Sequence, residues 1–283
     1  MAPPVHASVG ERIWHYGFRF LCGVIFFFLL FPILTIIPLS FNSGEFLHYP
    51  LQGLSLRWYE DFLGTGSWGV AIKNSAIMGI SSMFLATALG TIAAVGINRA
   101  SFPFKQLVVA LLISPMMIPL VITALALYLF YARIGMNDSY IGLILAHAIL
   151  GAPFVLITVS ATLQGFDYNL MRAGASLGAS PVLVFFRIVM PNIAPGIISG
   201  ALFAFATSLD EIVIVLFVAG PAHRTLPRQM FSGIREHLSP TFLAAATILI
   251  VVAALLMVTL ELLRKRHENL SGPAKVIAGG GDE

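Results

Sequence analysis

The sequence predicts an all-α membrane protein with six membrane-spanning helices. Hydrophobic residues make up 58% of its 283 residues and charged residues only 10%, whereas a soluble domain carries about 25% charged residues. Such a chain has too little polar surface to face water on every side. A helix needs about 20 apolar residues to cross a hydrocarbon core about 30 Å thick, and six stretches of the chain reach that length.

Turn-forming or polar residues separate the six apolar stretches. The stretches lie at about 18–39, 70–97, 107–131, 140–163, 188–218 and 242–263. Each is expected to be helical, because backbone amides in lipid need partners within their own segment. The stretches are too long and too irregular for barrel strands.

The stretches divide the chain into three regions. We expect an N-terminal tail at 1–17, a transmembrane domain at 18–263 and a flexible tail at 264–283. The first apolar run is longer than the 7–15 residues of a signal peptide, so we expect it to stay in the mature protein. The lone cysteine, Cys22, allows no internal disulfide.

The distribution of basic residues favours a topology with both termini in the cytosol. In that orientation ten of the 16 Lys and Arg residues lie on the cytosolic side, as the positive-inside rule expects. The basic cluster at 264–266 is the strongest anchor. The longest cytosolic loop then covers 164–187.

This cytosolic loop is predicted to contain a short helix over Tyr168–Leu177. Gly178 would end the helix in a left-handed turn that larger side chains resist, and Pro181 suits the first turn of the next helix. The helix carries three small residues that would let another protein approach closely: Ala173, Gly174 and Ala175. We interpret the loop as a docking surface; the alternative is an ordinary interhelical loop.

The spacing in the loop resembles that of permease subunits of bacterial ABC importers. Their cytoplasmic loop reads Glu-Ala-Ala, three residues, Gly, nine residues, Ile-x-Leu-Pro. In this chain Ala173 matches the first alanine, and the residues that fall in register after it are Gly178, Ile188 and Pro191. The departures are Arg172 for the glutamate, Gly174 for the second alanine and Met190 for the leucine.

The resemblance implies the type I ABC importer permease fold, in which the loop helix is a cytoplasmic coupling helix docked into the ATPase. The implied coupling residues are Arg172, Ala173, Gly174, Ala175, Gly178 and Pro191. We interpret the reversed charge at Arg172 as altered partner pairing; a permease that no longer couples is the alternative. The implied partners are a second related permease, two ATPase subunits and a periplasmic solute-binding protein.

ATP chemistry is expected to lie outside this chain. It has no Gly-x-x-x-x-Gly-Lys-Ser/Thr loop, the motif that cradles nucleotide phosphates. ATP and Mg would therefore bind to the partner ATPase, and this chain would hold no cofactor. No His or Cys spacing predicts a metal site, no nucleophile–base set predicts an enzyme, and the small net charge gives no indication of nucleic-acid binding. We expect a multi-pass protein of the bacterial inner membrane, in contact with lipid.

Asp210 and Glu211 lie inside the fifth apolar stretch. Carboxylates within a bilayer are costly unless they face water or a partner, and they mark substrate or ion paths by default. Candidate aromatic neighbours on such a path are Phe203, Phe205, Tyr128 and Tyr131. The alternative is a structural ion pair with Arg133, Arg224 or an arginine of a partner subunit.

Within the importer family, the chain most resembles the second permease subunit of spermidine/putrescine importers. The motifs that carry this likeness are 208–211, 220–221, 225–227 and 239–241. They imply a small cationic solute, which carboxylates and aromatic faces suit. The alternatives are an importer for an opine, an amino-acid-like solute, iron or a sugar, or an ion-coupled secondary transporter.

Two further features of the apolar stretches predict local structure. Pro115 and Pro119 should bend the third helix, because proline removes a backbone hydrogen bond; the bend would serve either pore opening or fixed packing. His147 is interpreted as a hydrogen-bonded packing residue, with a role in the path as the alternative.

Overall fold

The computed structural model describes residues 8–47, 49–64, 66–236 and 240–270. Apart from one isolated bridge between Asn42 and Leu54, the regular secondary structure of these residues is helical. The α-helices are α1 Val9–Leu39, α2 Arg57–Leu63, α3 Ser67–Arg99, α4 Lys105–Ile113, α5 Leu120–Ile134, α6 Tyr140–Gln164, α7 Asn169–Ser176, α8 Pro181–Val184, α9 Met190–Asp210, α10 Val213–Val218, α11 Leu226–Glu236 and α12 Thr241–Leu270. Short 3-10 turns cover Ser114–Met116 and Pro221–His223, and a π-helical turn covers Phe185–Val189.

Five helical stretches of the described residues are long and apolar enough to cross a membrane. They are Val9–Leu39, Ser67–Arg99, Tyr140–Gln164, Pro181–Asp210 and Thr241–Thr259. The pair Lys105–Met116 and Leu120–Ile134 is bent by 95° and supplies a sixth span if it counts as one. The predicted all-α fold with about six spans is confirmed.

The third predicted span is a broken helix rather than a continuous one. α4 ends at Ile113, a 3-10 turn follows, and α5 begins directly after Pro119. Pro115 and Pro119 both lack the amide hydrogen that would continue the helical ladder. The bend expected at these prolines is confirmed, but it amounts to a full break.

The fifth predicted span also breaks, which the sequence analysis did not foresee. α9 ends at Asp210 and α10 begins at Val213. Glu211 has an extended backbone with ψ of 118°, and its carboxylate accepts a hydrogen bond from the Ile214 amide at 2.7 Å. A side chain that bonds the backbone of a following turn competes with helix continuation, so the stretch 188–218 is two helices.

The helices at the two termini extend into the segments predicted as tails. α1 begins at Val9, because Ser8 and Glu11 form a capping box: the Ser8 hydroxyl accepts from the Glu11 amide, and the Glu11 carboxylate accepts from the Ser8 amide. α12 continues to Leu270. Residues 271–283 of the predicted flexible tail lie outside the described residues.

The described residues form two compact units, of which the first comprises those within Met1–Gly64 and Gly233–Ile250. In this unit the Trp58 indole donates to the Asn42 carbonyl oxygen at 2.7 Å. The Thr241 hydroxyl donates to the Asp61 carboxylate at 2.6 Å. α1 contributes no buried residue, so its apolar surface faces away from this unit's interior.

The second unit, within Thr65–Ser232 and Val251–Glu283, has α3, α6 and α9 at its centre. α3 and α6 run in the same direction, because the Tyr140 hydroxyl donates to Asn74 near their starts and the Asn98 amide donates to Ser160 near their ends. α9 runs the opposite way. We call the end with Arg99, Gln164 and Met190 the loop end, and the end with Asn74, Tyr140 and Val218 the far end.

Glycines let these three helices approach closely. A Cβ at Gly200 of α9 would lie 2.7 Å from the Cα of Val155 on α6, and a Cβ at Gly90 of α3 would lie 2.6 Å from the Val155 Cβ. Small residues at helix crossings are the usual means of tight packing in membranes. Val155 therefore lies at the centre of a three-helix contact.

Gly90→Ala and Gly96→Ala on α3 form a matched pair for testing this contact. A Cβ at Gly96 would meet no atom within 4 Å. We expect Gly90→Ala to lower the free energy of unfolding by about 1–3 kcal/mol through overpacking. Gly96→Ala should leave it unchanged or raise it by up to about 1 kcal/mol, because alanine favours a helix. Thermal unfolding in detergent measures both; equal midpoints would contradict the close packing.

Candidate functional site

The short helix α7 presents one face to the protein. Gly174 is buried, and a Cβ there would lie 2.6 Å from the Cδ1 of Ile188. Met171, three residues earlier, also packs against the core. The expectation that Gly174 belongs to the outer docking surface is therefore corrected: its small size serves the contact between α7 and the π-helical turn.

An exposed apolar stripe on α7 flanks the buried Gly174. Leu170 is 44% exposed and Leu177 is 89% exposed, with exposed Ala173 between them. Their spacing of three and four residues places them on one stripe of a helix. Arg172 and Ala175 are also exposed, on the side of α7 away from the stripe. Sequence reasoning missed both leucines, although their spacing was readable; Leu170, Ala173 and Leu177 are called the outer stripe below.

The turn after α7 has the geometry that the sequence predicts. Gly178 has φ of +80°, the left-handed region that favours glycine. The Gly178 amide donates to Ala175 and the Ala179 amide donates to Gly174. Pro181 stands in the first turn of α8, whose N-terminus is capped by the Ser180 hydroxyl. The predictions for Gly178 and Pro181 are confirmed.

A π-helical turn joins α8 to α9. The Met190 amide donates to the carbonyl oxygen of Phe185, five residues back. Pro191 is exposed and follows directly; because it has no amide hydrogen, it cannot continue the ladder. The Asn192 side chain donates to the Ile188 carbonyl oxygen at 2.7 Å. The π-helical turn therefore connects the α7 contact to one continuous helix, Pro181–Asp210.

The break after Asp210 separates the two acidic residues by environment. Glu211 is 5% exposed and accepts the Ile214 amide, whereas Asp210 is exposed. Among the described residues, no ion pair joins either carboxylate to an arginine. The Glu211 carboxylate is thus held by a backbone hydrogen bond and not by the arginine ion pair that the structural alternative named, while among the described residues the exposed Asp210 carboxylate has no ion pair.

The four aromatic candidates lie in different environments. Phe203 is partly exposed and stacks on Phe154 with ring centroids 6.1 Å apart. Phe205 packs against Gly79. On α5, Tyr128 is partly exposed, whereas Tyr131 is buried in a cluster that includes residues of α10. Their roles on a path stay predictions.

His147 lies between α6 and α9 near the break. It is 2% exposed, and its Nδ1 lies 2.6 Å from the Ser208 hydroxyl oxygen. This geometry supports the packing interpretation. Within the part of the chain that the structure describes, no group of three or more His, Cys, Asp or Glu residues could hold a metal ion.

At the far end, Asp138 ties the loop before α6 to the loop after α10. Its Oδ1 accepts from the Gly220 amide at 2.6 Å and lies 2.7 Å from His223 Nδ1, while its own amide donates to Val218. The hydrogen bond with His223 lowers the pKa of Asp138 below its usual value, and the bond with Gly220 adds to this. Sequence reasoning missed this contact, because 82 residues separate Asp138 from Gly220.

Comparison with sequence families gives one family match. The model of the binding-protein-dependent transport system inner membrane component matches residues 86–269. The chain is 31% identical to the spermidine/putrescine transport system permease protein PotC of Escherichia coli (strain K12), covering 89% of this chain and 95% of that protein. It is 35% identical to the putrescine transport system permease protein PotI of the same strain, covering 80% and 82%.

Two solved structures share the fold. One is a bacterial ABC transporter involved in the import of the acidic polysaccharide alginate, with a TM-score of 0.69, 17% identity and coverage of 90% of this chain and 96% of that one. The other is the inward-facing MetNI methionine ABC transporter, with a TM-score of 0.55, 16% identity and coverage of 69% and 94%. At these identities the likeness concerns the fold alone.

Asp138→Asn tests the far-end contact through its pH dependence. A carboxyl group whose pKa is lowered by folding stabilises the folded state at pH values above the pKa that it has in the unfolded chain. This contribution is lost as the pH falls through the pKa that it has in the folded state. We expect Asp138→Asn to lower the thermal midpoint at neutral pH. The difference in thermal midpoint between Asp138→Asn and the unsubstituted protein should shrink below about pH 4. A difference in midpoint that grows there would contradict the lowered pKa of Asp138.

Proposed function

The chain belongs to the family of binding-protein-dependent transport system inner membrane components, and from that premise we propose that it is one permease subunit of an ATP-driven importer for polyamines. Family membership makes it a multi-pass transport subunit of an inner membrane. The polyamine cargo, such as putrescine or spermidine, rests on the relatives' names and on the exposed carboxylate of Asp210. That carboxylate is the single observation in the structure that carries the proposal of a cationic solute.

The proposed assembly contains four further proteins. A second, related permease encloses the path with this chain, two ATPase subunits bind ATP and Mg and hydrolyse the ATP, and a periplasmic protein delivers the solute. The loop end faces the cytosol in this proposal, with both chain termini on that side. The outer stripe of α7 supports it, because an exposed apolar stripe at the cytosolic end of the protein is typical of a protein–protein contact.

The proposed mechanism follows the contacts between α7 and α9. Closure of the ATPase pair moves α7, and the Gly174–Ile188 contact passes that motion to the π-helical turn. The continuous helix Pro181–Asp210 carries it to the acidic break. Binding energy of ATP thus shifts the permease pair between inward-facing and outward-facing arrangements, as alternating access requires.

Leu177→Asp tests the docking of α7. The introduced carboxylate would be buried in an apolar contact without a partner. We therefore expect the affinity for the ATPase to fall about tenfold or more. Uptake in vesicles and co-purification of the ATPase measure it. Val182→Asp is the matched control, because Val182 is 66% exposed but lies outside the outer stripe. Equal effects of both substitutions would contradict a specific surface.

Asp210→Asn tests the cargo. Removing the negative charge should lower uptake of labelled spermidine at subsaturating concentration by about tenfold, as for loss of one charged contact. Glu211→Gln is the control, because its side-chain carbonyl oxygen still accepts the Ile214 amide and its charge faces the protein interior. If both variants import spermidine normally while the ATPase stays bound, the cationic site is wrong and the importer assignment stands.

A further inference from the structure

Two cavities adjoin along α3 and share Ile92 in their linings. The deeper one has a volume of about 440 Å³ and lies between α3, α4 and α6. Its lining is entirely apolar and includes Leu89, Leu111 and Ala152. Ile92 is 70% exposed and Leu111 is 62% exposed, so this groove is open along its side.

The second cavity lies nearer the loop end and ends in positive charge. Its lining contains Gly96, Arg99, Ala100 and Phe185. Arg99 is exposed, and among the described residues it forms no ion pair or hydrogen bond. The Lys105 ammonium donates to the Ala100 carbonyl oxygen at 3.1 Å. The sequence from 85 to 113 contains no Asp or Glu.

The two cavities together have the dimensions of one lipid leaflet. Fourteen residues separate Leu85, at the far edge of the deeper cavity, from Arg99, a distance of about 21 Å along the helix axis. Half of a bilayer about 40–45 Å thick, with its headgroup regions included, is the same length. A positive group therefore lies at the depth of a lipid headgroup, and an apolar groove lies at the depth of its acyl chain.

From this arrangement we infer that the groove between α3, α4 and α6 binds a phosphate-bearing anionic membrane lipid, with its headgroup at Arg99 and an acyl chain along Ile92. Arginine holds phosphate oxygens with paired hydrogen bonds, and Lys105 adds a second positive charge nearby. The acyl chain covers apolar surface that is otherwise open.

A helix of a partner subunit fits the groove less well than an acyl chain. A packed apolar helix would leave the charge of Arg99 without a counter-ion, which a lipid phosphate supplies.

The bound lipid contacts the segment that joins α7 to α9. Phe185 lines the second cavity and begins the π-helical turn. The lipid is thus a third contact of this turn, besides α7 and the core. The binding itself is independent of the cargo and is measured without transport.

Gly96 offers a substitution that blocks the groove without disturbing the core. A Cβ there meets no atom within 4 Å, so Gly96→Leu places its side chain in the open cavity, and Gly96→Ala is the small control. Arg99→Gln removes the headgroup contact. Arg133→Gln is its matched control, because Arg133 is also exposed near a helix end but lines neither cavity.

The experiment uses the assembled complex in phosphatidylcholine vesicles that contain phosphatidylglycerol with a photoreactive acyl chain. Mass spectrometry of the digested chain locates the label. We expect the label on residues 85–99 and 107–115. Arg99→Gln should reduce the labelling about fivefold or more, which corresponds to the loss of one basic contact to an anionic surface, and Gly96→Leu should also reduce it. The controls Gly96→Ala and Arg133→Gln should be labelled as strongly as the unsubstituted protein.

Three outcomes would overturn the inference. The first is equal labelling in all variants. The second is equal labelling by a photoreactive phosphatidylcholine, which would make the groove a general lipid surface. The third is a crosslink from Ala93→Cys, in a Cys22→Ala background, to the second permease, which would identify a protein as the occupant.

Discussion

The structure depends on one constraint: backbone amides and carbonyls within a bilayer must find partners inside the protein. Three interruptions of the apolar helices meet it in different ways. At 114–119 a 3-10 turn and two prolines reduce the number of amides that need a partner. At 185–190 the backbone forms a π-helical turn, in which the Met190 amide donates to the Phe185 carbonyl oxygen five residues back. At 211–213 the Glu211 carboxylate accepts an amide of the next helix.

α9 is the element that connects the two candidate sites, which are the outer stripe of α7 and the acidic pair at 210–211. The π-helical turn that leads into α9 packs on α7 through Ile188 and Gly174, and α9 ends at the exposed carboxylate of Asp210. Between them, the close contacts at Gly196 and Gly200 hold α9 to α6. Because close-packed interfaces have few intermediate arrangements, we expect a push on α7 to move α9 as a body, and the proposed coupling requires this.

Much of the fold was predictable because it depends on local composition. Apolar length predicts the spans, and Gly178 with Pro181 predicts the turn after α7. The burial of Gly174 was not predictable, because a glycine does not show in the hydrophobic periodicity of a helix. Only the structure shows that Gly174 packs against Ile188. The Asp138–Gly220 contact was equally inaccessible, because it joins loops far apart in sequence.

The break at Glu211 also escaped prediction, for a physical reason that bears on function. A sequence of apolar residues around two acids fits a continuous helix that carries both acids into lipid, at a cost of several kcal/mol each. Ending the helix at Asp210 turns one acid inward as a cap and leaves the other exposed. Adjacent carboxylates thus lie in different environments, one buried and hydrogen-bonded and the other exposed. The two solved structures with this fold come from transporters named for alginate and for methionine, so the helical framework alone does not identify a cargo.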